Sequence, residues 1–298
     1  MFQRAAWRHG LAGESGLIVT PTGSGKTLAA FGGALIEALA APPPPAPTRK
    51  DKGRRPARIK VLWVTPLRAL ANDTVRALRE PLEALGIPWT VAMRTGDASA
   101  RDRRLARTGQ AEVLVITPES LSLMLSYPET AELLGALRWI VVDEWHELMG
   151  NKRGVLLQLA LSRVRTLAPE GRTWGLSATL GNLVVAAAAL LPTGAAAQIV
   201  DGAARRKVTL HTLLPDAGEH FPWAGHLGLS QLQRVSALLG EARSSVVFTN
   251  TRSQAELWHK ALASVWLDAP EALALHHGSM SQALRAQAEQ GLRDGSVR

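Results

Sequence analysis

Short apolar runs alternate with stretches of helical periodicity along the first two thirds of the chain. In the segment LRWIVVDE at residues 137–144, the run WIVV at 139–142 is continuously apolar and directly precedes two carboxylates, which is typical of a parallel strand buried on both faces. The alternation predicts repeated βα units and therefore a parallel sheet. The predicted strands cover residues 16–20, 60–65, 90–93, 113–117, 139–143 and 173–177. The predicted helices cover residues 26–40, 67–85 and 154–167, and Pro81 is expected to start a new helical segment.

The pattern changes near residues 201–207 and then resumes, which predicts a boundary between a domain of residues 1–203 and a second of residues 204–298. In the second domain, helices are expected at residues 231–241, 252–264 and 281–292, and strands at 245–250 and 272–276. Residues 41–58, with PPPPAP followed by basic residues, predict an extended surface loop.

A glycine-rich segment, GLIVTPTGSGKT at residues 16–27, leads from the first predicted strand into a helix. Glycines let backbone N–H groups converge on a phosphate, and the helix N-terminus adds partial positive charge. Lys26 would reach the outer phosphates of a nucleotide, and the Thr27 hydroxyl would bind Mg²⁺. A chance match in an Ala/Gly-rich chain is the alternative, which the flanking strand and helix disfavour.

Two carboxylates, Asp143 and Glu144, follow the apolar run of residues 139–142. Carboxylates at the end of a parallel strand project into the crevice where such sheets bind ligands. Asp143 would hold Mg²⁺ directly or through water, and Glu144 would orient and deprotonate the attacking water. The alternative is a solvated Asp-Glu pair capping a strand, which the phosphate loop makes the lesser interpretation.

Composition narrows the function classes. The 298 residues are 46% hydrophobic and 20% charged, with no cysteine, so disulfides, thiolate metal sites and cysteine nucleophiles are excluded. Neither a secretory signal nor an apolar run of about 18 residues is found, so no membrane partner and a cytoplasmic location are expected. Lys and Arg number 34 against 25 Asp and Glu, and the net charge of +9 favours a polyanionic partner.

The ordered motifs PTGSGKT, TPLRALA, RTGD, TPESL, DEWH, SAT and VVFTNTR resemble motifs I to IV of superfamily-two helicases of the DExH type. The phrases FQRAAW, DEWHELMGNKRG and VFTNTRSQAE resemble the Lhr-like helicases, in particular the bacterial ligase-associated DEXH-box group. This resemblance covers nearly the whole chain. It implies an α/β fold of two RecA-like domains with parallel sheets, the second incomplete. It also implies ATP and Mg²⁺ as cofactors, single-stranded DNA or an RNA:DNA hybrid as partner, a role beside a DNA ligase in DNA repair, and a monomer.

The resemblance also assigns roles to individual residues. Gln3 matches the residue that reads adenine, with a polar residue at a helix start as the alternative. The phosphate loop is matched by Thr22, Gly23, Ser24, Gly25, Lys26 and Thr27, where the full consensus has glycine in place of Thr20. The catalytic and coupling residues are matched by Lys26, Asp143, Glu144, His146, Ser177 and Thr179, and Mg²⁺ would be held by Thr27 and Asp143. For His146 the alternative is a structural, hydrogen-bonded histidine. Nucleic-acid contacts are implied for Thr65, Pro66, Arg68, Gly96, Asp97, Thr117, Pro118, Glu119, Thr249, Asn250 and Arg252.

Family members continue beyond GLRDGSVR into motifs V and VI, whose arginines reach the γ-phosphate. The 298 residues are therefore expected to bind ATP and Mg²⁺ weakly to moderately and to hydrolyse ATP slowly. The leading hypothesis is an ATP-dependent helicase or translocase core. A catalytically incomplete fragment that acts as a nucleotide-responsive nucleic-acid-binding module is the runner-up. A third hypothesis, a P-loop kinase or small-molecule ATPase, is disfavoured by the TPLRAL and TPESL loops.

Overall fold

The computed structural model describes residues 2–41, 59–96, 98–178, 180–202, 209–214, 228–266 and 270–298. The chain divides into two compact units, Met1–Arg206 and Lys207–Arg298, hereafter unit 1 and unit 2. No helix in these described ranges is long and apolar enough to span a membrane.

Unit 1 is an α/β unit. Its described residues form the strands β1 (Ser15–Val19), β2 (Val61–Val64), β3 (Val91–Arg94), β4 (Val113–Ile116), β5 (Trp139–Val142), β6 (Arg172–Ser177) and β7 (Ala197–Asp201). They also form the helices α1 (Phe2–Leu11), α2 (Lys26–Ala40), α3 (Arg68–Ala84), α4 (Ala100–Thr108), α5 (Pro118–Met124), α6 (Thr130–Leu134), α7 (Trp145–Leu148), α8 (Lys152–Leu167) and α9 (Leu183–Leu190). The predicted alternation of strands and helices is confirmed.

The seven strands in the described residues form one sheet in the order β3-β4-β2-β5-β6-β1-β7. Every pairing between them is parallel, as the continuous apolar runs predict. The six predicted strands are confirmed to within a few residues. The seventh, β7, was not predicted. Because all strands run the same way, the loops after β1, β2, β4, β5 and β6 emerge at one edge of the sheet, where ligands bind in such folds.

Both faces of the sheet are covered by helices. Along β2, Val61 and Trp63 point into the core beneath α1, α2 and α3, while Leu62 and Val64 point into the core on the opposite face. All four side chains are fully buried. This alternation fixes the register of the strand, since a slip of one residue would exchange the two cores.

Pro81 lies inside α3 rather than at a break between two helical segments, so that prediction is wrong. Pro81 falls in the last turn of a helix that ends at Ala84, where the missing N–H removes one hydrogen bond near the terminus. The carbonyl of Pro81 still accepts a hydrogen bond of 3.1 Å from the N–H of Leu85. The turn therefore closes despite the proline.

Gly33 lies in α2 where the helix meets the ring of Trp139. A Cβ added there would lie 2.2 Å from Cη2 of that ring, closer than any real contact. Gly33→Ala is therefore expected to destabilise unit 1 by about 1–3 kcal/mol, more than the roughly 1 kcal/mol that alanine gains in a helix. Thermal unfolding measures the change. Gly240→Ala, where an added Cβ meets no described atom within 4 Å, is the control and is expected to be neutral or stabilising.

Unit 2 contains the three predicted helices, α10 (Leu232–Glu241), α11 (Arg252–Val265) and α12 (Gln282–Asp294). The predicted strands at residues 245–250 and 272–276 are not formed, and the described residues of unit 2 contain no strand. Val246 is 59% exposed and Phe248 is 90% exposed, so these apolar side chains lack the neighbours that a buried parallel strand requires. A cavity of about 400 Å³ opens beside them.

Candidate nucleotide site and nucleic-acid interface

The phosphate loop connects β1 to α2. Gly23 and Gly25 adopt φ angles of 77° and 90°, a left-handed conformation that disfavours residues with a Cβ. Gly25 precedes the first residue of α2, and Lys26 and Thr27 form the start of that helix. The exposed backbone of Gly23 and Gly25, with half-buried Ser24 between them, is open to a ligand at a helix N-terminus. This is the geometry that anion binding requires.

Thr20 stands where the phosphate-loop consensus has glycine, and the structure gives it a role. Its side chain is fully buried, and its hydroxyl lies 2.9 Å from Ser24 Oγ and 3.1 Å from the carbonyl oxygen of Gly202. The hydroxyl thus ties the loop to the residue that follows β7. Glycine at this position would lack both contacts.

Gln3 lies against the phosphate loop. Its Nε2 donates to the carbonyl oxygen of Gly25 at 3.5 Å, and a Cβ on Gly25 would approach that nitrogen to 2.6 Å. The residue predicted to read adenine is therefore brought beside the loop predicted to bind phosphates. Thr22, which is exposed, lies on the same loop.

Lys26 joins the phosphate loop to the carboxylates after β5. Its Nζ donates to Oε1 of Glu144 at 2.9 Å, across 118 residues of sequence. The lysine side chain is 9% exposed and that of Glu144 is 21% exposed, so water screens the pair only partly. The group predicted to bind the outer phosphates therefore pairs with the group predicted to activate water.

Asp143 is held by two donors. The N–H of Glu144 donates to its Oδ1 at 3.0 Å, and Nε1 of Trp63 lies 3.4 Å from its Oδ2. Burial, together with the neighbouring negative charge of Glu144, raises the pKa of Asp143 above its usual value, and Lys26 opposes the shift. A carboxylate in this position gains from a bound cation.

Trp63 is a residue of this site that sequence reasoning missed. It lies in the middle of an apolar strand, β2, and is fully buried, so its pattern is that of an ordinary core residue. The neighbouring strand β5 places Asp143 within reach of the indole N–H. No signal in the sequence identifies this contact, because 80 residues separate the two positions.

Glu144 has a strained backbone. Its φ of 43° and ψ of 50° make it the one non-glycine residue with positive φ in the described ranges. Strain of this kind persists where the surroundings over-determine a conformation, and it concentrates at functional sites. Here it accompanies a turn that presents the Glu144 carboxylate to both Lys26 and His146.

His146 continues the set of contacts toward β6. Its Nδ1 lies 3.6 Å from Oε2 of Glu144 and 3.0 Å from Oγ of Ser177, the last residue of β6. Ser177 is fully buried, and its carbonyl accepts the N–H of Thr20 at 3.0 Å. Lys26, Glu144, His146 and Ser177 thus form a continuous path of contacts, hereafter the Lys26–Ser177 relay.

The donor set around Asp143 fits Mg²⁺. Mg²⁺ usually takes one or two carboxylates and completes its coordination with phosphate oxygens and water. Asp143 supplies a carboxylate whose pKa is raised by burial and by the neighbouring charge of Glu144, and Thr27 supplies a hydroxyl at the start of α2. The described residues contain no group of three or more His, Asp or Glu that could hold a metal ion by themselves.

The predicted nucleic-acid residues of unit 1 lie at the edge of the sheet that carries the nucleotide site. Thr65 and Thr117 directly follow the paired strands β2 and β4. Thr117 caps α5, with Pro118 at its first turn, and the Thr65 N–H donates to the carbonyl of Ile116 at 2.9 Å. Pro66 follows Thr65, and Gly96 lies two residues beyond β3. Asp97, Thr179 and the side chain of Arg68 lie outside the described residues.

Glu119 is paired with an arginine that was not predicted. Arg153 Nε and Nη2 donate to its two carboxylate oxygens at 2.5 and 3.2 Å. These hydrogen bonds hold the pKa of Glu119 below its usual value. Because a carboxylate repels phosphate, the geometry favours Glu119 as the residue that positions Arg153, which follows DEWHELMGNK in the sequence.

The predicted nucleic-acid residues of unit 2 cluster at the start of α11. The Thr249 hydroxyl donates to the carbonyl of Thr251 at 3.0 Å, and the N–H of Asn250 donates to Gln254 Oε1 at 3.1 Å. Arg252 Nη1 donates to the hydroxyl of Ser279. The adjacent histidines pair with carboxylates rather than with each other: His276 with Glu289 and His277 with Glu256.

Known proteins are similar to this chain in sequence and in fold. A family model described as DEAD/DEAH box helicase matches residues 1–186. The ATP-dependent helicase Lhr-Core protein 2 of Thermococcus barophilus is 34% identical, over 96% of this chain and 34% of its own length. The Lhr helicase/probable uracil glycosylase of Mycolicibacterium smegmatis is 33% identical, over 99% of this chain and 22% of its own. The chain spans about a third or less of the length of these curated relatives.

Solved structures agree. The helicase Lhr of Mycobacterium smegmatis, bound to ssDNA and AMP-PNP, superposes with a TM-score of 0.73 at 33% identity, over 99% of this chain and 38% of that one. The helicase MrfA bound to DNA superposes with a TM-score of 0.75 over 100% of this chain and 41% of that one, and its 20% identity supports the fold alone. The family model covers more than half of the residues, and the relatives match nearly the whole chain. The chain therefore belongs to the DEAD/DEAH-box helicase family of superfamily two, as an Lhr-like member.

Proposed function

We propose that this chain is the ATP-hydrolysing core of a nucleic-acid helicase or translocase. The observation that carries the proposal is the Lys26–Ser177 relay. It connects a phosphate-binding loop to a carboxylate that can accept a proton, and then to the end of β6. Membership in the DEAD/DEAH-box family supports the same function.

The geometry supports a role for each residue of the relay. On nucleotide binding, Lys26 exchanges the carboxylate of Glu144 for the outer phosphates, which frees Glu144 to accept a proton from the attacking water. His146 contacts the freed carboxylate of Glu144 through its Nδ1. A shift of this carboxylate would therefore be transmitted to Ser177 through the contact between His146 and Ser177. Bound Mg²⁺, held by Asp143 and Thr27, would neutralise phosphate charge.

For the substrate, we favour single-stranded DNA, with an RNA:DNA hybrid as the alternative. The net charge of +9 and the loops after β2 and β4 support a polyanionic strand, and the Lhr structure of M. smegmatis was determined with ssDNA. A place in DNA repair beside a DNA ligase, a cytoplasmic location and a monomeric state are further proposals that rest on the resemblance of the motifs.

A second candidate function is a nucleotide-responsive nucleic-acid-binding module without turnover. The observation that favours it is in unit 2, where Phe248 is 90% exposed and no predicted strand forms in the described residues. Under this hypothesis nucleotide and DNA bind and influence each other's affinity, but ATP is not consumed.

The test is steady-state ATP hydrolysis by the 298-residue chain with and without single-stranded DNA. DNA-stimulated turnover supports the motor core, whereas coupled binding without turnover supports the module. Absence of both nucleotide and DNA binding contradicts both.

Lys26→Ala is expected to weaken nucleotide binding by about 10- to 100-fold, because it removes one charge-assisted hydrogen bond to phosphate. Equilibrium titration with a non-hydrolysable ATP analogue measures the change. Lys60→Ala provides a control substitution of the same kind. Lys60 contacts Trp89 and directly precedes β2, at the edge of the sheet where the strands begin, opposite the edge that carries the phosphate loop. Equal affinity of the Lys26→Ala variant and the original chain would show that the phosphates bind elsewhere.

A further inference from the structure

Helix α4 presents four arginines on one side. At 3.6 residues per turn, its arginines fall within an arc of about 160°. All four are exposed, and the opposite side buries Ala106 against the sheet. None of them forms an ion pair with a described carboxylate. The four, hereafter the α4 arginine face, are Arg101, Arg103, Arg104 and Arg107.

The close spacing of these arginines lowers the stability of helix α4. Arg101 and Arg104, Arg104 and Arg107, and Arg103 and Arg107 are three or four residues apart, so each pair repels across the helix surface. Arg101 also lies in the first turn, where the helix dipole disfavours a cation. The helix forms despite this because Ser99 caps its start, accepting the N–H of Asp102 at 3.0 Å, and Gly109 ends it at a φ of 62°. An anionic ligand would relieve the repulsion.

The α4 arginine face is separate from the nucleotide site. Helix α4 packs on β3, the edge strand of the sheet, and β3 is five strand positions from β1. At a spacing of about 4.8 Å per strand, the two elements are about 24 Å apart. The arginines therefore do not belong to the phosphate loop.

Arg94 extends the positive surface toward the predicted nucleic-acid loops. It is the last residue of β3 and pairs in register with Ile116, which directly precedes Thr117. Its Nη2 donates to the hydroxyl of Tyr127 at 3.1 Å, and its guanidinium lies 5.2 Å from the centre of that ring. Tyr127 thus fixes Arg94 at the end of β3, the strand on which α4 packs and which pairs with β4.

We propose that the α4 arginine face and Arg94 bind the phosphate backbone of a duplex segment that adjoins the strand held by the loops after β2 and β4. This inference rests on the proposed function, since it assumes that those loops contact nucleic acid. Charge complementarity identifies the partner as a polyanion. Single-strand sites add aromatic platforms on which bases stack, whereas α4, with the sequence ARDRRLART, contains no aromatic residue. Contacts with phosphate alone suit the outside of a duplex.

The test compares the chain with its Arg103→Gln/Arg104→Gln/Arg107→Gln variant on two labelled DNAs. One is a single strand of about 10 nucleotides, and the other is the same strand joined to a duplex. Fluorescence anisotropy at several salt concentrations gives the slope of log K against log salt for each. The matched control is Arg8→Gln/Arg76→Gln/Arg163→Gln, which removes the same charge from exposed positions on α1, α3 and α8. Circular dichroism verifies that both variants fold.

On the junction DNA, the magnitude of the slope of log K against log salt is expected to fall by about 2 to 3 in the α4 variant, at about 0.9 per arginine removed. On the single strand the slope is expected to change little. The control is expected to retain the junction slope. If the α4 variant and the control variant had the same salt slope on the junction DNA, the inference would be overturned and the proposed function would remain intact. If the salt slope fell equally on the two DNAs, the assignment to a duplex would be overturned. The same conclusion would follow if the chain bound polyglutamate as tightly as it binds the junction DNA. If the original chain bound neither DNA, the proposed function and this inference would both fail.

Discussion

Replacement of Glu144 by Gln is expected to reduce DNA-stimulated ATP hydrolysis by about 100- to 10,000-fold, the usual contribution of a general base. Glutamine retains the shape of the side chain but cannot accept a proton from water. The same change removes the anionic partner of Lys26, whose Nζ lies 2.9 Å from Oε1 of Glu144. Nucleotide then no longer competes with a carboxylate for the lysine, so binding of ATP is expected to tighten while turnover falls.

Both effects can be measured on one variant. Steady-state hydrolysis gives the turnover, and titration with a non-hydrolysable analogue gives the affinity. Glu147→Gln is the matched control, because Glu147 also lies near His146, at 3.5 Å, but is 58% exposed and makes no contact with Lys26 among the described residues. It is expected to retain turnover. More than a tenth of the original rate in the Glu144→Gln variant would place the base elsewhere.

Asp143→Asn is expected to stabilise the metal-free chain at neutral pH while abolishing hydrolysis. Burial raises the folded-state pKa of Asp143 above its ordinary value of 3.8, so the ionised carboxylate opposes folding at pH 7. The unfolded chain releases this proton at lower pH than the folded chain. The stability advantage of asparagine is therefore largest above the folded-state pKa, diminishes as the pH falls through it, and is absent below 3.8.

Thermal unfolding between pH 8 and pH 4, with and without Mg²⁺, tests this expectation. Mg²⁺ should raise the melting temperature of the original chain, because it supplies the positive charge that buried Asp143 lacks, and should have little effect on the variant. Asp73→Asn makes the same substitution at an exposed position of α3 and is expected to show neither effect. A destabilised Asp143→Asn variant at pH 7 would contradict the electrostatic account of this carboxylate.

The sequence predicted those parts of the fold that rest on local pattern. Helix α2 begins and ends at the predicted residues, because a glycine-rich loop precedes it and a proline run follows it. Strands β4 and β5 are continuously apolar and fully buried. Strand β7 was missed because it is an edge strand with a weakly apolar sequence, AQIVD, in which Val200 alone is buried, and it pairs only with β1 in the described residues.

The parts that were not predicted depend on contacts distant in sequence. The chemistry of Lys26, Asp143 and Glu144 follows from their motifs, but their pairing depends on the order of β5, β6 and β1 in the sheet. The hydrogen bond from Trp63 to Asp143 has no local signal. The strands predicted in unit 2 are not formed in its described residues. An apolar pattern forms a parallel strand only where neighbouring strands accept its hydrogen bonds, and a local pattern does not show whether such neighbours are present.

The contacts of Gly202 make the phosphate loop sensitive to the end of unit 1. The N–H of Gly202 donates to the carbonyl of Val19 at 2.8 Å, and its own carbonyl lies 3.1 Å from the hydroxyl of Thr20. Unit 1 ends four residues later. A displacement of the backbone at Gly202 would therefore act first on Val19 and Thr20, so the end of β7 supports the loop that we propose binds phosphate.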